Sequence, residues 1–260
     1  MHPELFTIGG FTIHGYGFMI MIGAIIGYFY MSTTVKKELG IEPEKVQSLA
    51  IFVILAAFIG GKLLFYFEDP SYYFSEPSRM IKGFRTGFVF YGSLLFVIPV
   101  TIWFFRKEKW PVWPMMDRLA ITACLVHMCG RMGCFLAGCC HGLPTESILG
   151  VTYTDLASQA EPLGVALHPT PLYEITMILL ILIVLIMVKR HKKFDGQLFM
   201  VYIILYAIGR SVIEVFRGDV RRGFIIEDVL SHSQFISLLV IAGAVGVYLH
   251  LKKKGELLKG

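Results

Sequence analysis

Seven apolar runs, at about 10–31, 46–68, 86–105, 117–138, 170–188, 196–216 and 229–251, set the terms for this chain. Each is close to the roughly 20 residues that carry a helix across a bilayer. With no water to satisfy peptide groups in lipid, a chain built this way spans as helices. Hydrophobic residues make up 55% of the 260, and mean hydropathy is +0.66, which excludes an ordinary soluble domain. The expected fold is an all-α polytopic membrane protein, a single domain over 1–260 with seven transmembrane helices. The first run is expected to remain in the mature protein, because Met1 to Gly10 carries Glu4 and neither Lys nor Arg.

Charge placement predicts the orientation, since Lys and Arg concentrate in cytoplasmic loops. Loops 1, 3 and 5 and the tail hold fourteen: Lys36, Lys37, Lys45, Arg106, Lys107, Lys109, Lys189, Arg190, Lys192, Lys193, Lys252, Lys253, Lys254 and Lys259. The opposite loops hold six: Arg79, Lys82, Arg85, Arg217, Arg221 and Arg222. The N-terminus is therefore expected outside and the C-terminus in the cytoplasm. The net charge of +5 reads as topology and attraction to anionic lipid, not as a nucleic-acid surface. Two long outer loops, 69–85 and 139–169, are where a substrate-admitting element would sit. Gly23 and Gly27, Gly60-Gly61, and Gly243 with Gly246 are expected at close helix contacts.

Four basic residues fall inside the runs: Lys62, Arg118, Arg131 and Arg210. Lys62 and Arg118 are accounted for by snorkelling or by a neighbouring acid such as Asp117. Arg131 and Arg210 need more, because an intramembrane arginine costs about 2.5–3.5 kcal/mol even on the lenient insertion scale. Glu214 stands four residues after Arg210, on the same helix face, whereas nothing equally close in sequence neutralises Arg131. Two guanidinium groups converging from different helices form a multidentate phosphate clamp, and in a membrane the obvious phosphate is a lipid head group. His127, Arg131 and Cys134 share one helix face, with His127 expected as a hydrogen-bonded core residue.

The five cysteines, Cys124, Cys129, Cys134, Cys139 and Cys140, crowd the Gly130-to-Gly142 stretch and the helix before it. A helical spacing of five does not give zinc geometry, so no metal is expected. A vicinal Cys139–Cys140 disulfide and free thiols both remain open, free thiols being the commoner condition. His168-Pro169-Thr170-Pro171-Leu172-Tyr173-Glu174 has helix-start chemistry, with Glu174 expected as a structural acid at a helix entrance.

In order along the chain, His14-Gly15-Tyr16-Gly17, Phe90-Tyr91-Gly92-Ser93, the Gly130-to-Gly142 signature, His168-to-Glu174 and Tyr206-to-Asp219 resemble the bacterial prolipoprotein diacylglyceryl transferase family over nearly the whole length. The resemblance implies transfer of an sn-1,2-diacylglyceryl group from phosphatidylglycerol to the lipobox cysteine thiol of a preprolipoprotein, at the outer leaflet of the bacterial cytoplasmic membrane. It implies Arg131 and Arg210 as essential arginines, Glu214 orienting Arg210, Tyr16 and Tyr206 on the head group or the arginines, and Gly142 at a close turn. Three departures touch the signature. Tyr91-Gly92-Ser93 replaces His-Gly-Gly, which leaves the thiol base to Tyr91, to His141 or to His168. Cys134 and Cys139 replace Asn and Glu, and are placed with the substrate-contacting residues. Leu143 replaces an arginine. Alternatives are a related transferase with another acceptor, working through Cys134 or Cys139, and a non-catalytic phospholipid-binding relative. No cofactor and a monomeric protein are expected.

Overall fold

The computed structural model describes residues 3–76, 78–82, 84, 87–217, 224–226 and 230–257. Arg85, Gly218, Asp219, Arg221, Arg222 and Lys259 of the sequence reading lie outside them. Among the described residues, seven helices are long and apolar enough to cross a membrane. These are α1 (Gly15–Leu39), α2 (Pro43–Glu68), α5 (Phe90–Lys107), α6 (Val112–Ala137), α7 (Thr170–Arg190), α8 (Gln197–Arg217) and α9 (His232–Leu257). Short helices α3 (Pro70–Ser75) and α4 (Ser78–Lys82) occupy the loop after α2. The described residues also form three small antiparallel pairs: β1 (Glu4–Ile8) with β2 (Phe11–His14), β3 (Val151–Thr152) with β4 (Ala166–Leu167), and β5 (Phe224–Ile226) with β6 (Leu230–Ser231).

The first boundary departs from the hydropathy reading, which began a helix at 10. Residues 10–14 instead turn and return as β2, and α1 runs on to Leu39. Gly9 and Gly10 both have positive φ, 56° and 83°, the conformation of a tight hairpin turn that only glycine enters freely. A short apolar run is ambiguous between strand and helix, and here the Gly-Gly turn decides it.

The chain divides into two compact units, residues 1–31 with 116–260, and residues 32–115. In the first, α6, α7 and α8 share a core of Ala120, Ile121, Cys124, Ile178, Ile181, Leu182, Leu185 and Leu198. Helix α9 packs on α8. Gly23 and Gly27 turn toward α6: a Cβ on Gly23 would come within 2.9 Å of Cys129 Cβ, and one on Gly27 within 2.6 Å of Val126 Cγ2. That is the close packing small residues give to helices in lipid. Gly243 and Gly246 do not serve this way, since a Cβ on either meets nothing within 4 Å. Apolar side chains such as Phe29, Leu180, Val212 and Leu238 remain exposed, as a lipid-facing surface requires.

Asp117, the acid next to Arg118, reaches from α6 to the start of α8. It is 3% exposed and accepts the backbone N–H groups of Gly196 (2.9 Å) and Phe199 (3.1 Å), and Lys192 Nζ lies 2.9 Å away. A carboxylate from α6 thus caps the N-terminal end of α8, where unsatisfied N–H groups and the helix dipole favour negative charge. The loop between α6 and α7 has its own small core of Tyr153, Ala160 and Leu167.

In the second unit α2 lies along α5. The two backbones approach so closely that a Cβ on Gly60 would stand 2.3 Å from Gly92 O. Ser93 Oγ donates to Ala57 O at 2.7 Å, which fixes Gly92-Ser93 against α2. Lys62 donates to Gly87 O at 2.8 Å and lies 5.5 Å from the ring centres of Phe65 and Phe84, so pairing accounts for it as expected. Tyr91, in the first turn of α5, is 67% exposed.

Candidate active site

Where α6 ends determines what its last residues can do. Gly138 takes φ +77°, its N–H bonds Phe135 O (3.3 Å), and Cys139 N–H bonds Cys134 O (3.1 Å). This pair of reversed bonds is the Schellman ending, which glycine enters without a Cβ penalty and which folds the residue after it back over the last turn. The chain then doubles back to Gly142, whose N–H bonds His168 O at 2.8 Å, while Leu143 N–H reaches Phe216 O at 3.1 Å. A Cβ on Gly142 would stand 2.2 Å from Phe216 O, so the expected close turn is a requirement of packing. Thr170 Oγ1 donates to Cys140 O and ties the start of α7 to the same turn. The Gly130-to-Gly142 signature is therefore a helix end stitched to the start of α7 and the last turn of α8.

Arg131 projects from α6 beside this turn, and its neutralising partner comes from another helix. Glu174 of α7, with a side chain 1% exposed, places Oε2 2.6 Å from Arg131 Nε and Oε1 3.6 Å from Arg217 Nη1. Arg131 Nε–H also lies 3.2 Å from His127 Nε2, which accepts it. His127 is thus the hydrogen-bonded core residue expected, with its lone pair directed at the arginine. Glu174 corrects the reading that made it only a helix-entrance acid: it joins arginines of α6 and α8. Arg217, counted among the outer-loop charges, lies in the last turn of α8 with a side chain 8% exposed. The signals that could have found both were the Glu174 of a matched motif and the i, i+3 spacing of Glu214 and Arg217.

Arg210 and Glu214 pair along α8 as the spacing predicted, Nη2 to Oε2 at 2.5 Å. Tyr206, one turn before Arg210, neighbours Glu174, Arg131 and Arg210 electrostatically, and its ring stands 5.5 Å from that of His127. It therefore links the two arginine groups. Among the described residues, the guanidinium groups of Arg131, Arg210 and Arg217 thus meet the carboxylates of Glu174 and Glu214. Arg210 Nη1 is buried and has no hydrogen-bond partner among the described residues. A buried donor left unmade costs roughly 1–3 kcal/mol, more when charged, which a bound anion would recover.

The remaining predicted residues divide into two groups. Tyr16, Cys134 and Cys139 come together: Tyr16 is in electrostatic contact with Cys134, Cys139, Cys140 and Arg131. The thiols are free, and the Sγ atoms of Cys134, Cys139 and Cys140 all lie within 4.8 Å of one another. The helical-spacing argument did not foresee this because the helix stops between Cys134 and Cys139. Thiol hydrogen bonds from Cys134 and Cys139, then the charges of Arg217 and Arg131, favour the thiolate at Cys140, while hydrogen bonding to its two neighbours pushes the Cys139 thiol up. His141 is engaged at both ring nitrogens, Nδ1 3.0 Å from Gly142 O and Nε2 accepting Glu161 N–H at 3.3 Å. His168 Nδ1 is 3.0 Å from the Tyr173 hydroxyl. Tyr91 belongs to the other compact unit, residues 32–115.

Comparison with known proteins covers nearly the whole chain. The family model for prolipoprotein diacylglyceryl transferase matches residues 3–250. A phosphatidylglycerol–prolipoprotein diacylglyceryl transferase of Clostridium tetani is 34% identical, over 95% of this chain and 97% of its own. A second such protein, from Clostridium perfringens, is 30% identical over 98% of each chain, and one from Campylobacter curvus is 30% identical over 96% of this chain and 94% of its own.

Proposed function

The chain belongs to the prolipoprotein diacylglyceryl transferase family, and from that premise we propose that its arginine cluster binds the phosphate of phosphatidylglycerol and discharges it during transfer to a lipoprotein thiol. The acceptor is the lipobox cysteine of a preprolipoprotein. Its S–H proton goes to a base, the sulfur bonds to the glycerol carbon that bears the phosphate ester, and the C–O bond breaks. The bonding pair leaves on oxygen as glycerol phosphate. Charge grows on phosphate oxygens as that bond breaks, so preorganised cations nearby lower the barrier.

The observation that carries this reading is Arg210 Nη1, which is buried and has no hydrogen-bond partner among the described residues, on a side chain paired with Glu214. Arg131 shares the phosphate, and Glu174 and Glu214 fix the planes of the two arginines. Tyr16 and Tyr206 line the head-group site with Cys134 and Cys139, and Gly142 lets the loop close on α8. Tyr91 and His141 are the candidates for the thiol proton. His141 would first have to give up Glu161 N–H, whereas Tyr91 is exposed. In this reading both compact units belong to one monomeric domain in the bacterial cytoplasmic membrane, N-terminus outside.

The test is transfer of radiolabelled diacylglyceryl from phosphatidylglycerol to a lipobox peptide by the purified protein, with a Cys→Ser peptide as control. Thiol-dependent labelling is expected, and Arg131→Ala or Arg210→Ala should each lower it by at least about 100-fold. Near-normal labelling by either variant removes the phosphate clamp. Tyr91→Phe should lower transfer strongly, and an unchanged rate would leave His141, His168 or water as the base.

A further inference from the structure

We infer that Cys134, Cys139 and Cys140 form a site for a single thiophilic d10 cation, Cu⁺ or Zn²⁺, built by the end of α6. The geometry is close to what such an ion needs. With metal–sulfur bonds of about 2.3 Å, three sulfurs in a trigonal plane stand about 4.0 Å apart. Here the three Sγ atoms already lie within 4.8 Å of one another, so each moves by less than about 1 Å to close on an ion.

The convergence follows from the backbone. A Schellman ending brings the third residue from the helix end against the second residue beyond it, a pair that is commonly hydrophobic. In this chain the pair is Cys134 and Cys139. Cys140 then takes φ +61°, a left-handed conformation that costs a residue with a Cβ roughly 1–3 kcal/mol and is held only by its surroundings. That conformation turns the third sulfur toward the other two, and the bond from Thr170 to Cys140 O holds it there. A helical spacing of five would have separated Cys134 from Cys139; the glycine at 138 abolishes that separation.

The surroundings set the coordination number. His141, the neighbouring imidazole, has both nitrogens committed, so it is not a fourth ligand. Among the described residues no other His, Cys, Asp or Glu joins the group. Three soft sulfurs without a fourth protein ligand suit three-coordinate Cu⁺, or Zn²⁺ completed by an exogenous ligand. Binding the ion displaces the thiol protons to solvent. The surplus negative charge of three thiolates is partly offset by Arg131 and Arg217, which lie in electrostatic contact with Cys140.

Metal retention tests this independently of lipid transfer, so failure here and failure of the proposed activity are separate results. Full-length protein in detergent, reduced and then exposed to Cu⁺ or Zn²⁺, is passed through gel filtration and its metal content measured. One equivalent of at least one ion is expected, with three sulfur neighbours in X-ray absorption, at about 2.3 Å for zinc. Cys139→Ser and Cys140→Ser should each weaken retention by at least the roughly 10–100-fold that loss of a mere supporting group costs a metal site. Cys129→Ala, outside the cluster, should retain it fully. Thermal unfolding of the metal-free variants shows whether they fold. The proposal is overturned if neither ion is retained, if fewer than three sulfurs bind it, or if folded cluster variants bind as tightly as the parent.

Discussion

Glu174 decides whether the arginine cluster is a tool or a liability. Its carboxylate is 2.6 Å from Arg131 and 3.6 Å from Arg217, and it is essentially inaccessible to solvent. Glu174→Gln would keep the shape and remove the charge, so both guanidinium groups would lose the anion that fixes their direction. Transfer should fall at least about tenfold, or about 1.4 kcal/mol in the barrier, with recovery in Glu174→Asp to the extent that the shorter carboxylate reaches Arg131. Initial rates with phosphatidylglycerol and a lipobox peptide measure this, and a Gln variant as fast as the parent would show that Glu174 does not position the arginines. The Arg210–Glu214 pair was legible in the sequence because it is four residues long and confined to one helix. The Arg131–Glu174 pair was not, since it joins two helices whose packing no local spacing encodes.

At the scale of elements, helix ends carry most of the organisation that hydropathy could not show. The end of α6 is set by Gly138, and the start of α8 by Asp117, which reaches across from α6 to accept two backbone N–H groups. Asp117→Asn keeps an acceptor but loses the charge that binds Lys192 Nζ and faces the helix dipole. It should cost about 1–3 kcal/mol, seen as a thermal midpoint lower by several degrees in detergent; an unchanged midpoint would reduce Asp117 to a bystander. Burial acts to lower the Lys192 pKa, but Asp195 and Asp117 outweigh it and the net shift is upward. The ion pair therefore stabilises the fold fully below the ordinary lysine value of about 10.4. It is lost as pH rises through the higher folded value, and the Asn variant should show a weaker loss there. Apolar periodicity gave the helices themselves but ran the first one back over β2, because composition alone does not separate Phe11-Thr12-Ile13-His14 from a helix start.

Across the whole molecule, the arrangement of charge and the arrangement of the site make a joint demand. The turn that carries Cys139, Cys140 and Gly142 follows α6 and leads into the loop reaching α7, so the arginine cluster lies at the end of the membrane segments that this loop joins. Lys and Arg are absent from that loop and abundant at the other ends of the same helices, in Lys189, Arg190, Lys192 and Lys193. Basic residues resist translocation, so the loop over 139–169 should face outward, where exported acceptors arrive. Ile148, fully exposed in this loop, gives a direct measurement. Ile148→Cys should react with a membrane-impermeant maleimide in intact spheroplasts, above the labelling of the parent protein, whereas Lys253→Cys, exposed near the end of α9, should react only after lysis. The reverse pattern would put the cluster on the cytoplasmic side and remove the exported lipobox thiol as its acceptor. Labelling at both positions would mean that the charge difference does not fix a single orientation. Outward labelling at Ile148 alone leaves the arginines, the head-group phosphate of the outer leaflet and the incoming thiol on one side of the membrane, as the displacement reaction requires.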